Sequence, residues 1–127
     1  MGAVLRVPDR DLSGLAPVQA VEASMSQRQQ IEVRLKDGET VTYREHGNSM
    51  APKLLDGVQV TLAPCMAESV RVGDIVFAKV RGRYFLHYVT AKAKDGSVQI
   101  GNARGHVNGW TRSVFGVVVD YNNPGKS

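Results

Sequence analysis

Cysteine is nearly absent from this sequence, with one residue in 127. Cys65 therefore has no partner for an internal disulfide. Three histidines, His46, His87 and His106, are far apart and do not match any metal-ligand spacing. These absences predict a metal-free, cofactor-free protein of the cytoplasm, in which Cys65 is a small apolar filler.

Long apolar runs are also missing. No stretch approaches the roughly 18 consecutive apolar residues that a membrane-spanning helix needs. The first residues lack the basic and then apolar layout of a secretory signal. We therefore expect a soluble chain with no membrane segment.

Clustered charge is the third absence. The net charge is +4, but the 16 basic residues are scattered, with no run of five or more. No helix-turn-helix, zinc-finger or aromatic-plus-basic signature is present. We do not expect direct binding of nucleic acid.

The length and the 43% hydrophobic content suit one domain with one core. Residues 1–30 are predicted to be an N-terminal arm followed by a short helix over 16–30, with Pro17 in its first turn. Residues 31–121 form the expected domain, and residues 122–127 a polar tail.

Apolar residues recur at every second position in several segments, a pattern typical of half-buried strands. Ile31, Val33 and Leu35 alternate with charged residues, and Asp37-Gly38 would turn this strand into a second one over 40–44. Five further strands are predicted over 58–62, 74–80, 84–92, 97–100 and 114–119. Seven short strands indicate a mainly β domain.

Ser49 stands out because it lies between Gly47-Asn48 and Met50-Ala51-Pro52. Such a bend presents a hydroxyl to a groove, with the amides of Ser49 and Met50 available to stabilise an oxyanion. Taken alone, a serine beside glycine is an ordinary turn residue.

Further segments follow this one in a fixed order: Val72-Gly73-Asp74-Ile75-Val76, Leu86-His87-Tyr88-Val89, Gly101-Asn102 and Val114-Phe115-Gly116-Val117-Val118. The ordered series resembles the superfamily that joins LexA-type self-cleaving repressors and UmuD-type proteins with the signal peptidases. The resemblance spans residues 31–119. It implies a coiled, mostly antiparallel β-sheet and serine peptidase chemistry.

Most bacterial members of that superfamily activate the serine with a lysine, and His87 occupies the corresponding position here. The resemblance therefore shifts toward the archaeal and endoplasmic-reticulum signal peptidases, which use histidine. An imidazole is largely neutral at pH 7 and can accept the serine proton. Lys53 and Lys79, the rival bases, are interpreted as surface lysines, and His87 without the other segments would be a core histidine.

The chain departs from the family pattern in three respects, the first of which is that Val58 follows Gly57 where the family has Gly-Asp. No carboxylate lies between Gly96 and Val119, so Asn102 or Asn108 would have to orient the imidazole. The usual self-cleavage dipeptide is also absent, and Ser13-Gly14 is the only small-residue and glycine pair ahead of Ser49.

Two functions remain open. The first is a serine endopeptidase that uses Ser49 and His87 to cleave itself or a protein substrate after a small residue. Its peptide would lie along the 41–44 strand, with substrate contacts at Val41, Tyr43, Gly47 and Met50. The second is an inactive LexA/UmuD-like binding or regulatory module that recognises a protein partner. A homodimer is compatible with either.

Overall fold

The computed structural model describes residues 25–125. These residues form one α-helix and seven β-strands: α1 (Gln27–Lys36), β1 (Val41–Glu45), β2 (Val58–Pro64), β3 (Ile75–Val80), β4 (Arg83–Lys92), β5 (Val98–Gly101), β6 (Val107–Thr111) and β7 (Val114–Asn122). A 3₁₀ turn, Ala67–Ser69, lies between β2 and β3. The predicted mainly β class is confirmed.

The chain divides into two units between Glu32 and Val33, and all seven strands belong to the second unit. The strands form one antiparallel sheet in the order β1-β2-β7-β3-β4-β5-β6, which curls into a half-barrel. β7 therefore lies between β2 and β3, although it is the last strand in the chain. Among the described residues, no helix has the length and apolar character that crossing a membrane requires.

The central strand β3 is buried on both faces, since residues that alternate along it are buried in turn. Val76 and Val80 belong to an aliphatic cluster on one face. Phe77 points to the other face, where its ring lies 5.4 Å from that of Tyr84 and 6.1 Å from that of Tyr43. This strand anchors its neighbour β4, which carries His87.

The prediction of a strand over residues 31–36 is wrong, because this segment belongs to α1. The two most buried positions in the helix are Ile31 and Leu35, at 3% and 2% exposure. Their spacing of four places both on one helical face, whereas a strand would have made Val33 equivalent to them. Residues 31–36 fit the period of a strand as well as that of a helix. The capping signals at the two ends of the segment favour the helix.

The N-terminal signal of α1 is a capping box. The Gln29 amide donates to the Ser26 hydroxyl at 3.2 Å, and the Ser26 amide donates to the Gln29 side-chain oxygen at 2.9 Å. The dipeptide Asp37-Gly38, predicted as a hairpin turn, instead ends the helix. Gly38 has φ +89°, and the Glu39 amide donates to the Arg34 carbonyl, which is the Schellman arrangement.

One strand was missed. β6 (Val107–Thr111) contains Asn108 and Gly109 and alternates poorly, so its pattern resembles a loop. The other five predicted strands are present with ends shifted by a few residues, as is the strand predicted over 40–44. Asn122, predicted in the tail, is the last residue of β7. The N-terminal arm, Pro17 and the Ser13-Gly14 pair lie outside the described residues.

Replacing Ser26 by alanine removes the hydroxyl that caps α1. We expect Ser26→Ala to lower the free energy of unfolding by about 0.5–2 kcal/mol, measured by urea denaturation. Ser26→Asp keeps an acceptor for the Gln29 amide and should retain most of the stability. Equal stability of Ser26→Ala and the wild type would contradict the capping role.

Candidate active site

His87 lies on β4, directly opposite Val76 of β3. It therefore shares a face of the sheet with Phe85 and Val89, since side chains alternate along a strand. The side chain is 7% exposed, and the buried residues around it in the described chain are otherwise aliphatic or aromatic. The Phe85 ring lies 5.1 Å from the imidazole. A polar ring in such surroundings needs hydrogen-bond partners.

Ser49 lies in the loop between β1 and β2, on an exposed turn. The Ala51 amide donates to the Asn48 carbonyl at 3.1 Å, which closes the turn around the serine. Gly47 enters this turn with φ +107°, a conformation that side chains disfavour.

Asp56 holds the start of the same loop. Its carboxylate accepts a hydrogen bond from the Gly47 amide at 2.7 Å. That bond lowers the pKa of Asp56, and His46, 3.4 Å away, acts in the same direction. The carboxylate is therefore ionised at neutral pH, and the contact weakens only as the pH falls through that lowered value.

The loop and the strand bring serine and histidine together, although 38 positions separate them in sequence. The Ser49 Oγ lies 2.9 Å from His87 Nε2. This distance suits a hydrogen bond along which a proton can pass.

The other ring nitrogen has a partner as well. His87 Nδ1 lies 2.6 Å from Asn108 Oδ1. An amide oxygen can only accept, so Nδ1 carries the proton and donates it. In the neutral ring, Nε2 is then the unprotonated nitrogen, and the Ser49 hydroxyl donates to it. The result is a continuous chain from Ser49 through His87 to Asn108.

A β-bulge in β6 directs Asn108 toward the imidazole. Ile100 of β5 pairs with Gly109 and Gly101 pairs with Val107, which leaves Asn108 as the extra residue. Bulges re-aim a side chain in this way. Gly109 has φ +138°, and a Cβ there would lie 3.0 Å from a Val80 methyl carbon. The Asn108-Gly109 pair is a turn signal in the sequence that coincides with this bend.

Asn102, the second predicted orienting residue, has a different set of partners. Its side-chain oxygen accepts hydrogen bonds from the amides of Arg104 at 2.9 Å and His106 at 3.0 Å. These bonds shape the loop between β5 and β6. In that loop the Ala103 amide donates to the Ser49 carbonyl at 3.1 Å. Asn102 thus lies beside the serine loop, and Asn108 is the asparagine that contacts Nδ1.

The expected oxyanion donors are the amides of Ser49 and Met50. Within the described part of the chain, neither amide donates to a backbone carbonyl.

A pocket of about 10 Å³, room for about one water molecule, opens beside Ser49. This is far smaller than the range of about 300–1,000 Å³ usual for small-molecule sites. Gly47 and Met50, two of the predicted substrate contacts, line it. The remaining lining is both apolar and polar and comprises Leu54, Leu55, Val58, Leu86, Glu45 and His46.

The other two predicted substrate contacts lie on β1. The side chains of Val41 and Tyr43 are 1% and 8% exposed, so they fill the core. β1 ends the strand order and pairs only with β2 among the described strands. Pairing of β1 with the predicted peptide would therefore use its outer backbone edge and not these side chains.

The rival groups lie in other surroundings. The Lys53 ammonium lies 5.8 Å from the centre of the Tyr121 ring, and that of Lys79 lies 5.0 Å from the centre of the Tyr84 ring. His106 is exposed in its loop. Burial, with a contribution from the charge of Asp74, raises the pKa of the Cys65 thiol to about 11. Cys65 is therefore protonated at neutral pH and a poor nucleophile.

Residues 25–125 contain no group of three or more histidine, cysteine, aspartate or glutamate side chains that could hold a metal ion. Neither a protein-family model nor a curated protein matches the sequence.

Asn108 should control which nitrogen of His87 carries the proton. In the wild type at neutral pH, ¹⁵N NMR should find the proton on Nδ1, because Asn108 accepts it there. Asn108→Ala removes that acceptor, and the population protonated on Nε2 should rise. Asn102→Ala is the matched control and should leave the His87 tautomer unchanged. An unchanged tautomer in Asn108→Ala would contradict the assignment.

Proposed function

We propose that this protein is a serine endopeptidase with Ser49 as nucleophile, His87 as general base and Asn108 as positioning residue. One observation carries the proposal: the hydrogen-bond chain from Ser49 Oγ through both nitrogens of His87 to Asn108 Oδ1. Serine becomes a useful nucleophile when a base accepts its proton, and an oriented third group is the usual complement of such a pair. The resemblance of the ordered sequence segments to LexA-type proteins and signal peptidases agrees with this proposal.

The reaction follows from these contacts. His87 Nε2 accepts the hydroxyl proton as Ser49 Oγ attacks the carbonyl carbon of the scissile peptide bond. The amides of Ser49 and Met50 stabilise the oxyanion. The imidazolium then gives its proton to the leaving amine, and the acyl group remains on Ser49. Water, deprotonated by His87, releases the carboxylic acid and restores the serine.

Asn108, the third residue of the hydrogen-bond chain, limits the rate of the proposed reaction. Asn108 keeps the proton on Nδ1, which leaves Nε2 free to act as base. A neutral amide stabilises the developing imidazolium less than a carboxylate does, although Cys-His-Asn proteases use the same arrangement. We therefore expect a slow enzyme, suited to a reaction that happens once or rarely.

The surroundings of Ser49 favour an extended peptide with a small residue before the scissile bond. A peptide backbone can pair with the outer edge of β1. The pocket beside Ser49 has room for about one water molecule, so it favours a short side chain over a long one. The substrate is either another protein or this chain, with Ser13-Gly14 as the internal candidate.

A fluorophosphonate probe should label Ser49 covalently, because such probes react with serines that a base activates. Intact mass spectrometry should find one probe molecule per chain, and Ser49→Ala should abolish the adduct. His87→Ala should slow labelling by at least about 100-fold. Ser97→Ala is the matched control, since the Ser97 hydroxyl donates to Asp95 and not to a histidine. Equal labelling of wild type and Ser49→Ala would exclude the proposed nucleophile.

Activity should depend on the oxygen of Asn108. With p-nitrophenyl acetate as substrate and the Ser49→Ala rate subtracted, Asn108→Ala should lower kcat by about 10- to 100-fold. Asn108→Asp retains an acceptor for Nδ1 and should match or exceed the wild-type rate, because a carboxylate stabilises the imidazolium more than an amide does. If Asn108→Ala matched the wild type, the asparagine would have no positioning role. A wild type that neither hydrolyses the ester nor takes the probe would instead favour the binding module.

A further inference from the structure

Asn123 follows β7 and contacts the loop that carries Ser49. Its side-chain oxygen accepts a hydrogen bond from the Leu55 amide at 2.9 Å, and its side-chain nitrogen donates to the Lys53 carbonyl at 3.0 Å. One side chain thus binds two backbone groups that are about 70 positions away in sequence. The polar composition of residues 122–127 gave no sign of this role.

The two bonds enclose Leu54. Lys53 precedes this residue and Leu55 follows it, so Asn123 fixes the backbone on both sides. Leu54 is 2% exposed and Leu55 is 36% exposed, and both line the pocket beside Ser49. The Leu54 amide also donates to the Met50 carbonyl at 3.0 Å, which joins this part of the loop to the turn around Ser49.

Neighbours of Asn123 contact the same loop. The ring of Tyr121 lies 5.8 Å from the Lys53 ammonium. Pro124 packs beside Gly57, where a Cβ would lie 3.6 Å from its ring carbon. Two hydrogen bonds to backbone groups, with side-chain contacts on either side, hold the loop in one position more firmly than its own turn would.

From these two hydrogen bonds we infer that Asn123 determines the specificity of the proposed site. It fixes Leu54 and Leu55, which form one wall of the pocket that receives the acyl part of the substrate. The inference rests on the proposed function. Asn123 touches neither Ser49 nor His87 through these bonds, so it acts through Leu54 and Leu55. Its loss should widen the pocket and change substrate selection, while the Ser49-His87-Asn108 chain stays intact.

A series of p-nitrophenyl esters tests this inference. Acetate, butyrate and hexanoate differ only in acyl length, and the Ser49→Ala rate gives the background. The wild type should prefer acetate over hexanoate in kcat/KM. In Asn123→Ala that preference should fall by about tenfold, since one or more methylenes in an apolar pocket typically change selectivity by that order. The kcat for acetate should stay within about twofold of the wild type.

Two further variants and a hydrogen-exchange measurement accompany the ester assay. Asn122→Ala, one residue away on an exposed position, is the matched control and should keep wild-type selectivity. Asn123→Asp retains the acceptor for the Leu55 amide but not the donor to Lys53, and should give an intermediate selectivity. Hydrogen exchange of the Leu55 amide should quicken in Asn123→Ala and not in Asn122→Ala.

The outcomes separate the inference from the proposed function. A wild type without Ser49-dependent hydrolysis would overturn the proposed function, and the inference with it. An active wild type whose acyl selectivity is unchanged in Asn123→Ala would overturn the inference alone. A drop of kcat for all three esters in equal proportion would also overturn it, because the residue would then act on the catalytic chain and not on the pocket.

Discussion

A buried imidazole with two nitrogens to satisfy is the constraint on which the rest of this site depends. Leaving either nitrogen of His87 without a partner in the core would cost about 1–3 kcal/mol. Asn108 satisfies one nitrogen at 2.6 Å and Ser49 the other at 2.9 Å. The same two bonds that make burial tolerable also order the ring, fix its tautomer and place a hydroxyl at the basic nitrogen. Stability and chemistry therefore favour one geometry.

The hairpin of β5 and β6 supplies both sides of that arrangement. Its bulge directs Asn108 to the ring, and its loop presents the Ala103 amide to the Ser49 carbonyl. A displacement of this hairpin would disturb both the Asn108 contact to His87 and the Ala103 contact to the serine loop. The position of Ser49 therefore depends on the same hairpin that supplies Asn108.

Much of the fold could be predicted from the sequence, because alternation over short segments reports which face of a strand is buried. The alternation failed at Ile31 and Leu35, where residues spaced by four satisfy a helix as well as a strand. It also failed at β6, where a bulge and Gly109 interrupt the period. The proximity of Ser49 and His87 could be expected from the sequence, because both residues lie in the ordered series of segments. The choice between Asn102 and Asn108 could not be predicted, because it depends on which side chain the bulge re-aims. The contacts of Asn123 could not be predicted, because the side chain of a polar residue after the last strand usually points into solvent.

The position of β7 has a consequence for how the site forms. Ser49 belongs to the β1-β2 part of the sheet, whereas His87 and Asn108 belong to the part from β3 to β6, and β7 joins the two. Synthesis runs from the N-terminus, so β7 leaves the ribosome after every other strand. Before β7 inserts, no strand pairing connects the part of the sheet that carries Ser49 with the part that carries His87. Under the proposed function, insertion of the last strand is therefore the step that brings nucleophile and base together.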